Sequence, residues 1–178
     1  MSQEAPLPLS ILVRMTRPGF LVITVVGCLL GIASADACGH PPHVWSALAT
    51  LVLASLAHAA GNVLNDVHDA QSGADTANTH GLFPFTGGTR LIQQGAVSVQ
   101  QTRDLARALL MVWVPAGVWL ALQTSPSVLW VGTLGLLLAW AYSAPPLALM
   151  SRGLGELAVA AAWSLVVIGA DAVQRGQV

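Results

Sequence analysis

Apolar runs separated by short polar segments make up most of the chain. We interpret five of them as helices that cross a membrane, which takes about 20 mostly apolar residues. They cover residues 20–35, 44–66, 105–122, 128–142 and 154–170. This pattern predicts an all-α fold: a polytopic bundle of about five transmembrane helices. The bundle forms a single membrane domain over residues 1–178.

Composition supports the membrane assignment. Hydrophobic residues make up 54% of the chain and charged residues 8%, whereas soluble domains carry about a quarter charged residues. One soluble core cannot bury so much apolar surface. The net charge of -1 provides no basic field for nucleic acid, so a nucleic-acid-binding function is excluded.

The distribution of arginine predicts the orientation. All seven cations are arginine, and six of them fall on one side of the predicted spans: Arg14, Arg17, Arg90, Arg103, Arg107 and Arg152. Positive loops stay in the cytoplasm. We therefore expect a multi-pass protein of the cell inner membrane, with a cytoplasmic N-terminus. The loops at about 67–104 and 143–153 should also be cytoplasmic, while Arg175 lies on the other side.

Polar side chains gather where the second apolar run ends, in the stretch "NVLNDVHDAQSGAD". Helical spacing places five of them on one face: His58, Asn62, Asn65, Asp66 and Asp69. A charge at mid-bilayer costs about 2.5–3.5 kcal/mol on insertion scales, so this face should meet protein or water. For His58, deeper on that face, a hydrogen bond to a neighbouring helix is favoured over contact with an aromatic substrate.

The crowded acids suggest a metal site. Magnesium takes one or two carboxylates together with waters and substrate phosphates. Asp66 and Asp69 have suitable positions, and Asp75 follows after Gly73. The pattern predicts a diphosphate held through Mg²⁺ at the membrane surface. A solvated helix end followed by ordinary loop acids is the alternative interpretation.

A glycine-rich segment follows in "FPFTGGTRLIQQGAVS". Gly87 and Gly88 suit close approach of the backbone to an anion. Thr89 comes next, and the Arg90 guanidinium has the fork geometry that grips phosphate. The alternative is a turn that ends in a cytoplasmic arginine.

These stretches resemble a known family. "NVLNDVHDAQSGAD" is similar to the first aspartate-rich motif of the UbiA-type intramembrane prenyltransferase superfamily. "TGGTR" and "YSAPPLALMSRGLGE" also resemble segments of that superfamily. The form with G-x-D followed by T-G-G-T-R is most similar to the dihydroxynaphthoate polyprenyltransferase branch of the menaquinone pathway.

The resemblance implies an Mg²⁺-dependent aromatic prenyltransferase. Such an enzyme moves a polyprenyl group from its diphosphate to an aromatic quinone precursor, here 1,4-dihydroxy-2-naphthoate in menaquinone biosynthesis. By position, the metal ligands would be Asp66, Asp69 and Asp75, and the catalytic residues Asp66, Asp69 and Arg90. The substrate would be lined by Asn62, Asn65, Asp75, Gly87, Gly88 and Thr89.

The chain departs from that family in length. Members have nine transmembrane helices and a second aspartate-rich motif after the sixth, so we expect a C-terminally truncated chain that corresponds to the first half of the fold. A missing C-terminal half is then an expected partner.

Two alternatives remain open. One is an inactive or split fragment that binds metal-diphosphate or needs a partner half. The other is a different Mg²⁺-dependent membrane phosphotransferase, whose longer aspartate pattern is absent.

Overall fold

The computed structural model describes residues 6–78, 80, 81, 83 and 88–176. Within these residues the chain forms seven α-helices and one 3₁₀ turn, Leu149–Arg152, with no β-strand. The helices are α1 (Leu9–Met15), α2 (Pro18–Ala37), α3 (Val44–Ser72), α4 (Ala74–Ala77), α5 (Val99–Gln123), α6 (Val128–Ser143) and α7 (Gly155–Arg175). The prediction of an all-helical fold is confirmed.

Local sequence signals explain where several helices begin and end. Pro18 begins α2, where its missing N–H costs no intrahelical bond. Ser98 caps α5 in a capping box with Gln101, which satisfies free backbone N–H groups. Gly73 and Gly176 end α3 and α7 with left-handed backbone, which glycine adopts without steric cost.

Four helices are long and apolar enough to cross a membrane: α2, α3, α5 and α7. The fourth predicted span, 128–142, corresponds to α6, which is apolar but has 16 residues. At 1.5 Å per residue this is about 24 Å, shorter than the hydrocarbon core of about 30 Å. The described residues therefore contain four candidate spans and one shorter apolar helix.

Small residues hold the helices together, and α2 packs mainly against α7. At Gly31 an added Cβ would overlap the Val167 carbonyl oxygen and lie 2.8 Å from the Ala170 Cβ. Such close approach is typical of helix pairs in membranes. Large apolar side chains point outward instead, including Val22, Leu29, Trp45, Met111 and Leu137. An exposed apolar surface of this extent is typical of a membrane interaction surface.

The helices alternate in direction and collect the polar segments at two ends of the bundle. The first, here the Asp66 end, contains α1, the start of α2, the end of α3, the described residues between 73 and 98, the start of α5 and residues 144–154. The second, the Asp171 end, contains the turn 38–43, residues 124–127 and the end of α7. The six arginines grouped by the sequence lie at the Asp66 end.

The Asp66 end is more ordered than the sequence pattern suggested. Helix α3 continues to Ser72 and α5 begins at Val99, so the connection is shorter than the expected loop 67–104. The unexpected helix α1 packs beneath it, because Met15 is buried with Val63, Leu91, Val97 and Ala106. This apolar layer supports the polar residues above it.

Candidate functional site

Three carboxylates are buried at the Asp66 end. Asp66, Asp69 and Asp75 are 4%, 5% and 3% exposed. Charged residues are almost never buried this fully without partners, since desolvation strongly penalises an isolated charge. The partners of each carboxylate therefore define what this part of the molecule can do.

Asp66 is held from two directions. Arg17 forms an ion pair with Oδ1, and the Thr89 hydroxyl donates to Oδ2 at 2.7 Å. Gly88 lies against this pair with φ +74°, and an added Cβ would collide with the Asp66 carboxylate. The predicted pair of Gly88 and Thr89 is thus brought directly onto Asp66. Glycine is required at position 88 both by the backbone conformation and by the lack of space.

The two asparagines of α3 bind the junction between α1 and α2. Asn62 Nδ2 donates to the Thr16 carbonyl oxygen at 3.0 Å. Asn65 Oδ1 accepts from Arg17 Nη2 at 3.2 Å. Arg17 itself adopts a left-handed backbone, with φ 53°, directly before α2. This turn places its guanidinium over the last turns of α3.

Asp75 and Arg90 organise the connecting segment. Gln93 Nε2 donates to Asp75 Oδ2 at 2.8 Å. Arg90 Nη1 donates to the backbone oxygens of Asp75 and Asn78, and its guanidinium carbon lies 4.7 Å from the centre of the Phe83 ring. The structure therefore shows Arg90 binding backbone carbonyls. Its predicted contact with phosphate stays a prediction, and the predicted Gly87 lies outside the described residues.

The acids influence one another. Burial raises the pKa of Asp75 above its usual value, and repulsion by Asp66 raises it further, while the hydrogen bond from Gln93 opposes the shift. Asp69 lies within electrostatic range of both Asp66 and Asp75. Among residues 6–78, 80, 81, 83 and 88–176, neither Asp69 nor Asp75 forms an ion pair. The cluster therefore carries negative charge that Arg17 does not balance.

This donor set fits magnesium in its chemistry. All three acids offer oxygen ligands, and Mg²⁺ requires one or two carboxylates when phosphates and waters complete its coordination. A metal site made only of protein side chains would need more ligands than this. In the part of the chain that the structure describes, no group of three or more His, Cys, Asp or Glu side chains could hold a metal ion.

His58 lies deeper in the bundle on the same face of α3. Its Nδ1 is 2.8 Å from the hydroxyl of Thr24 on α2, and its ring meets Trp163 of α7 edge-on at 5.1 Å. The favoured interpretation, a hydrogen bond to a neighbouring helix, is confirmed. His58 joins three helices below the acidic cluster.

Arg17 is the residue that the sequence did not single out. The pattern assigned it only to the positive side of the first span, yet it contacts both Asp66 and Asn65. One signal was available in the sequence. Arg17 directly precedes the first apolar run, on the same predicted side of the membrane as the acidic face of α3.

The comparisons with known proteins give one match. The UbiA prenyltransferase family matches residues 20–178, which includes every residue of the acidic cluster. Neither the curated proteins nor the solved structures yield a match.

Proposed function

We propose that this chain, which belongs to the UbiA prenyltransferase family, moves a polyprenyl group from its diphosphate to an aromatic acceptor. The proposed acceptor is 1,4-dihydroxy-2-naphthoate, in menaquinone biosynthesis. The observation that carries the proposal is the buried cluster of Asp66, Asp69 and Asp75 at a helix end. It lies beside the glycine turn of Gly88, at one polar end of a helical bundle whose outer surface is apolar.

The polar head of the donor would bind at the Asp66 end. Asp69 and Asp75 offer carboxylates free of ion pairs among the described residues, and Asp66 has a second oxygen bound only by the Thr89 hydroxyl. A carboxylate accepts several bonds at once, so Asp66 can keep Arg17 and still contribute a ligand. When bound, Mg²⁺ supplies positive charge that stabilises the departing diphosphate.

The residues around the cluster would orient and protect the reacting groups. Asn62 and Asn65 fasten α3 to the α1–α2 junction, and Gly88 leaves space against Asp66. Arg90 holds the segment that carries Asp75. We also propose that Arg90 contacts a phosphate of the donor. In the transfer itself, the allylic C–O bond of the donor breaks and diphosphate leaves, while a C–C bond forms to the aromatic ring. The alkylated ring carbon then regains aromaticity by losing the group it carried, which is a proton or, at the carboxylated carbon, CO₂.

A transfer assay tests this proposal. The purified chain in lipid nanodiscs is incubated with farnesyl diphosphate, Mg²⁺ and 1,4-dihydroxy-2-naphthoate, and products are identified by mass spectrometry. We expect a prenylated naphthalenediol, with or without the carboxyl group, that disappears with EDTA, and less product with 4-hydroxybenzoate as acceptor. Binding of farnesyl diphosphate without product would instead favour a metal-diphosphate-binding chain that requires a partner half. Absence of both binding and product would contradict the proposal.

We also propose that the Asp66 end faces the cytoplasm of a cell bounded by the inner membrane, because six of seven arginines lie there. Cys38 provides a native reporter, since it is exposed at the Asp171 end while Cys28 is buried. In spheroplasts of a bacterial host, a membrane-impermeant maleimide should label the chain from outside, and Cys38→Ser should abolish labelling. Labelling that requires permeabilisation would reverse the orientation.

A further inference from the structure

Helix α6 has fewer residues than its neighbours to bridge the two polar ends of the bundle. Because α5 ends at the Asp171 end and α7 begins at the Asp66 end, the 16 residues of α6 must cover the distance between them. They reach about 24 Å, whereas the hydrocarbon core of a typical bilayer is about 30 Å thick. Tilting α6 would shorten its extent along the membrane normal, so tilt cannot make up the difference.

The two helices that α6 contacts, α5 and α7, share this limit. They have 25 and 21 residues, but exposed polar side chains shorten their apolar parts. On α5, Arg107 and Gln123 are 16 positions apart, which is about 24 Å. On α7, Glu156 and Asp171 are 15 positions apart, which is about 23 Å. Three adjacent helices therefore present an apolar band of the same reduced height.

The other two long helices are taller. On α2, Arg17 and Asp36 are 19 positions apart, and on α3 the same separation joins His43 and Asn62. Both distances are about 29 Å, close to the full hydrocarbon core. The one imidazole between these limits, that of His58, bonds to Thr24 within the bundle. The bundle thus has a thick side, formed by α2 and α3, and a thin side, formed by α5, α6 and α7.

Tryptophan positions on α6 agree with the thin side. Trp130 is exposed near the start of the helix, and Trp140 is exposed near its end. They are 10 positions apart, or about 15 Å. Leu134 and Leu137 are exposed between them, so the face that carries the rings is apolar. Because tryptophan rings settle at both membrane–water interfaces, rings this close together fit a hydrocarbon layer thinner than usual.

We propose that the thin side of the bundle binds phospholipids with short acyl chains and thins a thicker bilayer around itself. Lipid rather than protein is the partner, because tryptophan rings border the exposed face of α6 at both ends. Snorkelling offers little relief, since the side chains of Gln123, Glu156 and Asp171 are short. The inference goes beyond the proposed prenyl transfer and does not depend on it.

Quenching of tryptophan fluorescence by brominated lipid tests the proposal on each side of the bundle. The purified full chain is placed in vesicles that mix dimyristoleoyl phosphatidylcholine with brominated dioleoyl phosphatidylcholine. Trp130 on the thin side and Trp45 on the thick side form a matched pair, because they are 74% and 77% exposed and both begin a helix at the Asp171 end. The fluorescence lost in Trp130→Phe and in Trp45→Phe gives the signal of each ring. Both signals are normalised to vesicles of brominated lipid alone.

The share of long-chain lipid beside Trp130 should be lower than its share in the vesicle, which corresponds to an about 2- to 5-fold preference for the short chain. Beside Trp45 the two shares should be equal. A long-chain share at Trp130 equal to or above that of the vesicle would overturn the proposal. So would a Trp130 signal that brominated lipid alone does not quench, because a second copy or another protein would then cover α6. Trp130→Tyr and Trp45→Tyr supply the same differences if a phenylalanine variant does not fold.

Discussion

The two polar ends of the bundle balance their charges in different ways. At the Asp171 end, Arg175 Nε lies 2.6 Å from Asp171 Oδ2, one turn away on the same helix. Gln174 accepts from the His43 backbone N–H at 2.8 Å, which ties α7 to α3. At the Asp66 end, Arg17 and Asp66 pair across 49 positions of sequence. Two more buried acids lie beside that pair.

The difference separates a structural anchor from a candidate binding site. The Asp171 pair is about a quarter exposed and closes within one helix, with one cation for one acid. The Asp66 cluster instead has three buried acids, of which only Asp66 forms an ion pair among the described residues. Unbalanced buried charge is costly unless a ligand compensates for it. Paired substitutions, one at each end, therefore test whether the difference has a functional meaning.

The largest effect is expected from the carboxylates. Asp66→Asn should lower the rate of prenyl transfer by more than about 100-fold, since loss of even the outer partners of a metal ligand costs about 10–100-fold. Asp171→Asn should leave the rate unchanged, although it breaks an ion pair as well. The measurement is the initial transfer rate under saturating Mg²⁺. Retained transfer in Asp66→Asn would remove Asp66 from the metal site.

Two glycines with positive φ provide the second comparison. Gly88 has a φ of +74° and Gly39 a φ of +87°, and at either position any other residue would be strained by about 1–2 kcal/mol. The two positions differ in space, because a Cβ added at Gly39 would have nothing within 4 Å. Gly88→Ala should abolish binding of Mg²⁺-diphosphate because its Cβ displaces the Asp66 carboxylate. Gly39→Ala should bind normally and lose only thermal stability. Calorimetry and thermal unfolding report the two effects, and equal binding by both variants would argue against the Gly88 contact.

The smallest effect is expected from single hydroxyl groups. Thr89→Val removes the donor to Asp66 Oδ2 and should weaken Mg²⁺-diphosphate binding about fivefold, equivalent to ~1 kcal/mol. Thr124→Val removes a comparable bond, 2.9 Å to the Leu120 carbonyl oxygen, but lies at the Asp171 end. The affinity of Thr124→Val for Mg²⁺-diphosphate should equal that of wild type. A similar loss in both variants would indicate a general change in stability.

Much of the fold could be predicted because the signals are local. The apolar runs predicted the helices, and the expected span 154–170 agrees well with α7. The spacing of Asn62, Asn65, Asp66 and Asp69 predicted one polar face. The structure places all four in bonds to other segments or in the buried cluster. These properties follow from helix periodicity and need no tertiary information.

The remaining features depend on contacts between distant segments. Arg17 reaches Asp66 only because a left-handed residue joins α1 to α2, and no sequence period encodes that turn. Similarly, Arg90 donates to the backbone oxygens of Asp75 and Asn78, 15 and 12 positions earlier in the chain, and no helical period encodes these bonds. Helix α1 was missed because seven residues next to a long apolar run show little periodicity of their own.

Hydrogen–deuterium exchange with Mg²⁺ and inorganic diphosphate tests the central claim most directly, because it reports on both ends of the bundle in one experiment. If the Asp66 end binds the diphosphate, exchange should slow at residues 88–98 and around the α1–α2 junction. The turns 38–43 and 124–127 of the Asp171 end should be unaffected. Slower exchange at those turns, or no change at the Asp66 end with ligand in excess, would contradict the account.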